Sequence, residues 1–393
     1  VAQFAALALF LSIVELVIPK PIPFFRIGLA NLPLLVALTM FPRRDFILLI
    51  LLKIFGQGIV SGTLFSYVFL FSAAGSISSG VVMLLLRRWY PTRISLVGIG
   101  VFGAFASNIA QLLFAATFIF GRSTWLIAPL FLLVGTITGT VLGALAGQLL
   151  QHSRWLAATP GSATGGPHRQ AAPSPGEPPS AVVSPVVRLV SGLLMVPPFL
   201  MQSLVPFKFF HIVLFGAASV YLGKRVRILP GVFIVAAVTG AQLLTPLGEV
   251  LTYIGAFPIT AGALEQGLVR GLNLVGLVYL SRYAVSSGLP IPGQVGALLY
   301  RVFFYFEELT AYRVVRDRRA GFRQNIKRAL IDIDEFLLQL VAGGYSGETA
   351  AGTVGGRRSG PRGRIVVPLA AVALQWGLVA AGRLPGLVSL LHW

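Results

Sequence analysis

The sequence predicts an all-α fold: a polytopic helical membrane protein, with a six-helix bundle in front and a second helical membrane domain behind. Three observations carry this. The 393 residues are 56% hydrophobic and only 11% charged, against about 25% charged in an ordinary soluble domain. Mean hydropathy is +0.84. The apolar residues form continuous runs that approach the roughly 20 residues needed to cross a bilayer core, without the alternation of a β-barrel wall.

Six apolar runs fill residues 1–150, at about 2–18, 27–41, 45–60, 65–86, 95–119 and 125–150. Lys and Arg in short loops set orientation. Arg43 and Arg44 follow the second run, Arg87, Arg88 and Arg93 the fourth, and Arg154 the sixth, whereas the other side carries only Lys20, Arg26 and Arg122. Both ends of this unit are therefore expected in the cytoplasm, with the first loop outside. The first run is expected to act as its own insertion signal.

That first loop and its flanks, Glu15 to Asn31, hold a carboxylate, Lys20, Arg26 and three prolines, Pro19, Pro21 and Pro23. Proline donates no backbone hydrogen bond and biases the chain to an extended path. The stretch reads as a rigid strap over a polar pocket, or as an ordinary interhelical loop with snorkelling cations. Lys20 and Arg26 lie on the side where the charge bias disfavours cations, which suits an anionic ligand arriving from outside. Glu15, Asn31, Lys53, Gln57, Asn108 and Gln111 lie in or near apolar runs, where polar groups face a partner or a cavity. Glu15 and Lys53 could instead form a structural pair. Glycines 56, 58 and 62 permit either tight helix packing or a broken helix that offers backbone groups to a ligand. Ala2 and Ala6 put small residues on one face of the first helix, a pattern suited to close helix contact.

Residues 151–185 are rich in Pro, Gly, Ser and Ala and read as a disordered cytoplasmic linker. Residues 186–340 form the second domain. Its spans are expected at 187–204, 207–223, 230–246 and 262–287, with a shorter apolar piece near 248–259. Lys224, Arg225 and Arg227 mark a cytoplasmic loop. Glu265, Arg270 and Arg282 are expected to pair mutually or to sit at a boundary. Residues 292–340 mix charged and apolar residues at helical spacing, as in helices on a membrane surface or against a partner. A flexible linker, 341–363, precedes a last apolar run from Ile365 to about Ala381.

Several classes of chemistry are missing. The net charge is +19, but the cations sit in short loops and one basic stretch, which points to anionic headgroups rather than nucleic acid. There is no cysteine, hence no thiolate chemistry. No GxxxxGK[ST], HExxH or GxSxG occurs, and His152, His168, His211 and His392 are scattered. Asp332 and Asp334, two residues apart, do not face each other on a helix and make a poor metal clamp; with Glu335 they are expected to flank a partner contact. Neither a cofactor nor a metal is expected, and the chain reads as a non-enzyme.

The first 150 residues resemble a family of six-helix membrane proteins labelled heptaprenyl diphosphate synthase component I, or Gx transporter, and look like substrate-binding S components of energy-coupling factor (ECF) transporters. The resemblance rests on Glu15, the Pro19–Pro23 loop, Arg26-Ile27-Gly28-Leu29-Ala30-Asn31, the Gly56–Gly62 region and Ser107-Asn108-Ile109-Ala110-Gln111. The Ala2/Ala6 pair is similar to the small-residue face by which S components dock. Residues 186–340 look like a T component, through Pro258-Ile259-Thr260, Leu264 to Tyr283, Gly288-Leu289-Pro290 and the Arg301 to Arg319 helix. In such components cytoplasmic helices dock on ATPases through Arg-centred motifs, for which Arg318, Arg319 and the Arg328 region are the matches here.

The resemblance implies a bacterial cytoplasmic-membrane subunit of an ECF-type ABC importer. Its ligand would be a vitamin-like, flavin or prenyl/quinone-related molecule, and its partners separate ABC-type ATPases. The enzyme-style family name fits poorly, because Glu15 and Asp45 are the only acids in residues 1–150, too few for paired aspartate-rich motifs. The alternatives are a non-catalytic accessory protein of heptaprenyl diphosphate or quinone synthesis, and a purely structural membrane scaffold.

Overall fold

The computed structural model describes residues 1–17, 28–158, 183–224, 226, 228–254, 257–285, 293–311, 331–339 and 363–381. Six helices form the first unit: α1 (Ala2–Val17), α2 (Leu32–Met40), α3 (Arg43–Val60), α4 (Tyr67–Leu86), α5 (Leu96–Phe118) and α6 (Thr124–His152), followed by a short α7 (Arg154–Ala158). Each matches one apolar run. The helices around α4, α5 and α6 are long and apolar enough to cross a membrane. Helix α3 carries charge in its first turn, at Arg43, Arg44 and Asp45, and again at Lys53.

The unit is built as a membrane bundle should be. Leu70, Ile77, Val81, Leu126 and Leu133 are exposed, as lipid-facing residues are. The tightest seam joins α5 to α6. A Cβ at Gly100 would fall 2.5 Å from the Gly139 carbonyl oxygen, and one at Gly143 would fall 2.5 Å from Val97 Cα. The backbones therefore touch, as small-xxx-small faces allow. Helix α3 is continuous, so the broken-helix reading of its glycines is corrected. Gly56 and Gly58 instead make room for Leu9 and Phe69, which a Cβ would approach to 2.9 and 2.7 Å.

The second unit comprises α8 (Pro185–Met201), α9 (Val205–Tyr221), α10 (Ile228–Leu243), α11 (Ala261–Ala284), α12 (Gly293–Ala311), α13 (331–339) and α14 (Gly363–Ala381). Helices α8, α9 and α10 pack on α11, and α14 packs on α8. The apolar piece near 248–259 is a β-hairpin, β1 (Val250–Ile254) paired antiparallel with β2 (Phe257–Thr260). Pro246 and Pro258 stop a helix, and Val250, Thr252, Ile254, Ile259 and Thr260 favour extended chain. The surface helix expected from Arg301 starts earlier, at Gly293, and is described to Ala311.

Among the described residues the units meet in two places. Helix α1 packs along α12, with Phe4, Ala5, Ala6 and Leu9 in one core with Val302 and Phe306. Helix α13 joins the same core and anchors the far end of α6, because Asp334 accepts from the Ser153 hydroxyl and from the Arg154 amide at 2.9 Å. Ser153 Oγ in turn accepts from Leu156 N at 3.1 Å. Asp334 of this acidic stretch thus contacts the chain itself.

The other contact is set by α11. Arg270 and Gln242 both donate to the Ile119 carbonyl, at 3.1 and 2.7 Å, so Arg270 serves the junction rather than pairing with Glu265, which is exposed. Eleven residues on, Ser281 Oγ accepts from Phe65 N at 3.1 Å, and Arg282, twelve on, lies against Gly62. Helix α11 thus runs from the α5–α6 turn to the α3–α4 turn, about 18 Å at 1.5 Å per residue. It lies across the end face of the first bundle that lacks the Arg43, Arg87 and Arg154 clusters.

Candidate functional site

Near that end face, the first bundle turns its polar side chains inward. Serines 72, 76 and 79 of α4, Ser107, Asn108 and Gln111 of α5, Glu15 of α1 and Lys53 of α3 are all buried. Most of them line a cavity of about 70 Å³, together with Asn31 and Gln57. Placing one charge at the centre of a spanning helix costs about 2.5–3.5 kcal/mol. Glu15 and Lys53 are only 5% and 3% exposed, so two ionisable groups are buried at one cavity.

The local structure explains how. Gly28 sits at φ 85°, a left-handed turn leading into the 3-10 turn Leu29–Asn31 and then α2. That turn leaves the Gly28 and Leu29 amides unpaired in the backbone, and both donate to Glu15 Oε2 at 3.0 Å. Hydrogen bonds to an ionised acceptor are roughly twice as strong as neutral ones. The turn also presents Asn31, whose Oδ1 accepts from Lys53 Nζ at 2.5 Å. One side of the chamber is therefore a wired set running from Glu15 through the turn to Asn31 and Lys53.

The other side is made of neutral amides and hydroxyls. Ser72 donates to Gln57 Oε1 at 3.0 Å, Gln111 Nε2 to Ser107 Oγ at 3.0 Å, and Asn108 Nδ2 to the Phe131 carbonyl at 2.8 Å. Glycines open room for them. A Cβ at Gly75 would lie 2.4 Å from Gln111 Nε2, and one at Gly135 would lie 2.1 Å from Asn108 Nδ2. Gln111 also borders an apolar cavity of about 200 Å³ shared with Ala237 and Ala241 of α10. It is thus the wall between the polar chamber and the junction of the two units.

Glu15, Asn31, Lys53, Gln57, Asn108 and Gln111 are brought together. Lys20, Arg26, Arg318, Arg319 and Arg328 lie outside the described residues. Ala6 is buried, and Ala2, half-buried, packs against the same core, on the helix that meets α12. Sequence reasoning missed Ser12 and the α4 serines, although Ser72, Ser76 and Ser79 recur at helical spacing and could have shown a polar stripe. The chamber combines one carboxylate, one ammonium and several amides and hydroxyls. Among the described residues no His, Cys, Asp or Glu cluster could hold a metal ion. The arrangement suits recognition of a small polar, charged group.

Comparison with known proteins matches both units to family models. Residues 184–287 match a domain of unknown function (DUF8519). No curated protein and no solved structure matches the chain. Residues 4–149, which hold the whole polar chamber, match the family described as Heptaprenyl diphosphate synthase component I.

Proposed function

We propose that this chain is the membrane subunit of an ECF-type ABC importer. The first unit binds a small ligand, and the second passes motion to it from separate ATPase subunits. The observation that carries the reading is the buried Glu15–Asn31–Lys53 set at a polar cavity inside a lipid-facing bundle. Groups so costly to bury are kept for a ligand or an ion. At about 70 Å³ the chamber is below the roughly 300–1,000 Å³ of sites that enclose drug-sized ligands. It fits the acidic head of a vitamin-like or prenyl/quinone-related molecule, and not a whole flavin ring system. Lys20 and Arg26 add positive charge in sequence beside it.

Two further observations support coupling. Helix α1 docks its small-residue face on α12, the amphipathic helix that leads toward Arg318, Arg319 and Arg328. Helix α11 also crosses the end face of the first bundle. The family description favours a second reading, a non-catalytic accessory of heptaprenyl diphosphate synthesis. Affinity purification of the whole chain in mild detergent separates the two. The importer reading expects ABC-type ATPases in the complex; a soluble prenyl transferase in their place would overturn it.

A further inference from the structure

A cleft of about 450 Å³ opens where the two units meet at the end of α11, lined by Ile59, Val60 and Gly62, by Lys224 and Arg282, and by Phe303 and Phe306 of α12. Its chemistry is divided. One wall is aliphatic and aromatic; the other lining residues include two cations and the carboxylate of Glu307.

The cations are crowded and unequally satisfied. Lys224 donates to the carbonyls of Arg282 and Val285. Arg188, next to it, is buried and gives Nε and Nη2 to the Tyr283 carbonyl, at 3.1 and 2.8 Å. The Arg282 guanidinium has no hydrogen-bond or ion-pair partner among the described residues. Burial, then repulsion from Arg188 and Arg282, pulls the Lys224 ammonium down to about 8. Among the described lining residues two cations face one carboxylate, Glu307. Basic pockets between membrane helices hold anionic headgroups.

We propose that the cleft binds an anionic phospholipid, with its phosphate on Arg282 and its acyl chains along Val60, Phe303 and Phe306. The lipid would sit between the two units. The inference does not depend on what the polar chamber binds.

Native mass spectrometry of the full chain in neutral detergent, with equimolar phosphatidylglycerol and phosphatidylcholine, tests it. The wild-type chain should retain phosphatidylglycerol preferentially. Arg282→Gln should lose about fivefold of that preference, the weight of one surface cation. Arg301→Gln, which removes an exposed cation of α12 outside the cleft, should keep it. Should Arg282→Gln fold poorly, Val60→Glu, which sets a carboxylate in the cleft, must lower the same ratio. An unchanged ratio in the cleft variants, or an equal loss in Arg301→Gln, overturns the proposal. Displacement of the lipid by an equal concentration of inorganic phosphate overturns it in favour of a free-phosphate site.

Discussion

Substituting Gly75 by alanine tests how the chamber is built. The new Cβ would lie 2.4 Å from Gln111 Nε2 and 2.7 Å from Ser107 Oγ, well inside contact distance. Gln111 is buried, so it must swing away and surrender its 3.0 Å bond to Ser107. A buried amide stranded in this way costs about 1–3 kcal/mol. Alanine also improves helix propensity over glycine by up to about 1 kcal/mol, which partly offsets the loss. Gly147→Ala on α6 isolates that gain, because a Cβ there meets nothing within 4 Å. The two variants should therefore differ in unfolding free energy by about 1–3 kcal/mol, with Gly75→Ala the less stable. Denaturant titration of the detergent-solubilised chain reads this directly. Adding Gln111→Ala to Gly75→Ala removes the closer of the two clashes, leaving that with Ser107, and should show a favourable coupling of about 0.5–3 kcal/mol. If Gly75→Ala and Gly147→Ala were equally stable, the described placement of Gln111 would be wrong.

Ala6 is fully buried on the helix that meets α12. Ala6→Leu should overpack that seam by about 1–3 kcal/mol and speed amide exchange over Gly293–Ala311; unchanged exchange would remove α12 from the α1 face. Asp334→Ala deletes the acceptor for Ser153 and Arg154. The loss should be that of a helix cap, about 0.5–2 kcal/mol, seen as faster exchange over Arg154–Ala158 with the rest of the bundle protected. Lys224 titrates at about 8 in the folded chain against 10.5 for a free lysine. The unfolded chain therefore binds more protons between those values, and stability should rise with pH through that window. Lys224→Met should flatten the rise, and an identical pH profile would contradict the burial of the ammonium.

Much of the fold was legible because lipid imposes a simple rule on helices. Each of the six front runs became one helix to within a few residues, but the α5–α6 glycine seam was not read from the sequence. The polar chamber was legible in its costly members, Glu15, Lys53, Asn108 and Gln111, because charges and amides in apolar runs demand a reason. Its serines passed unnoticed, since a serine in a spanning helix can satisfy itself on its own backbone and carries little signal. The hairpin at 250–260 was lost because a short apolar run reads alike as helix or strand. Long-range pairings were not legible at all. Nothing in the chain order announces that Arg270 serves Ile119, or that Asp334 anchors the segment after α6, since both depend on how the two units fold against each other.

The central claim, that the Glu15–Lys53 chamber holds a small charged molecule, is tested most directly by mass spectrometry of metabolites released from the purified chain. Wild-type protein should carry an acidic or zwitterionic small molecule, retained at least about tenfold less, roughly 1.4 kcal/mol, by a folded Lys53→Met variant. Equal retention by Lys53→Met, or no small molecule at all on the wild-type chain, would contradict it.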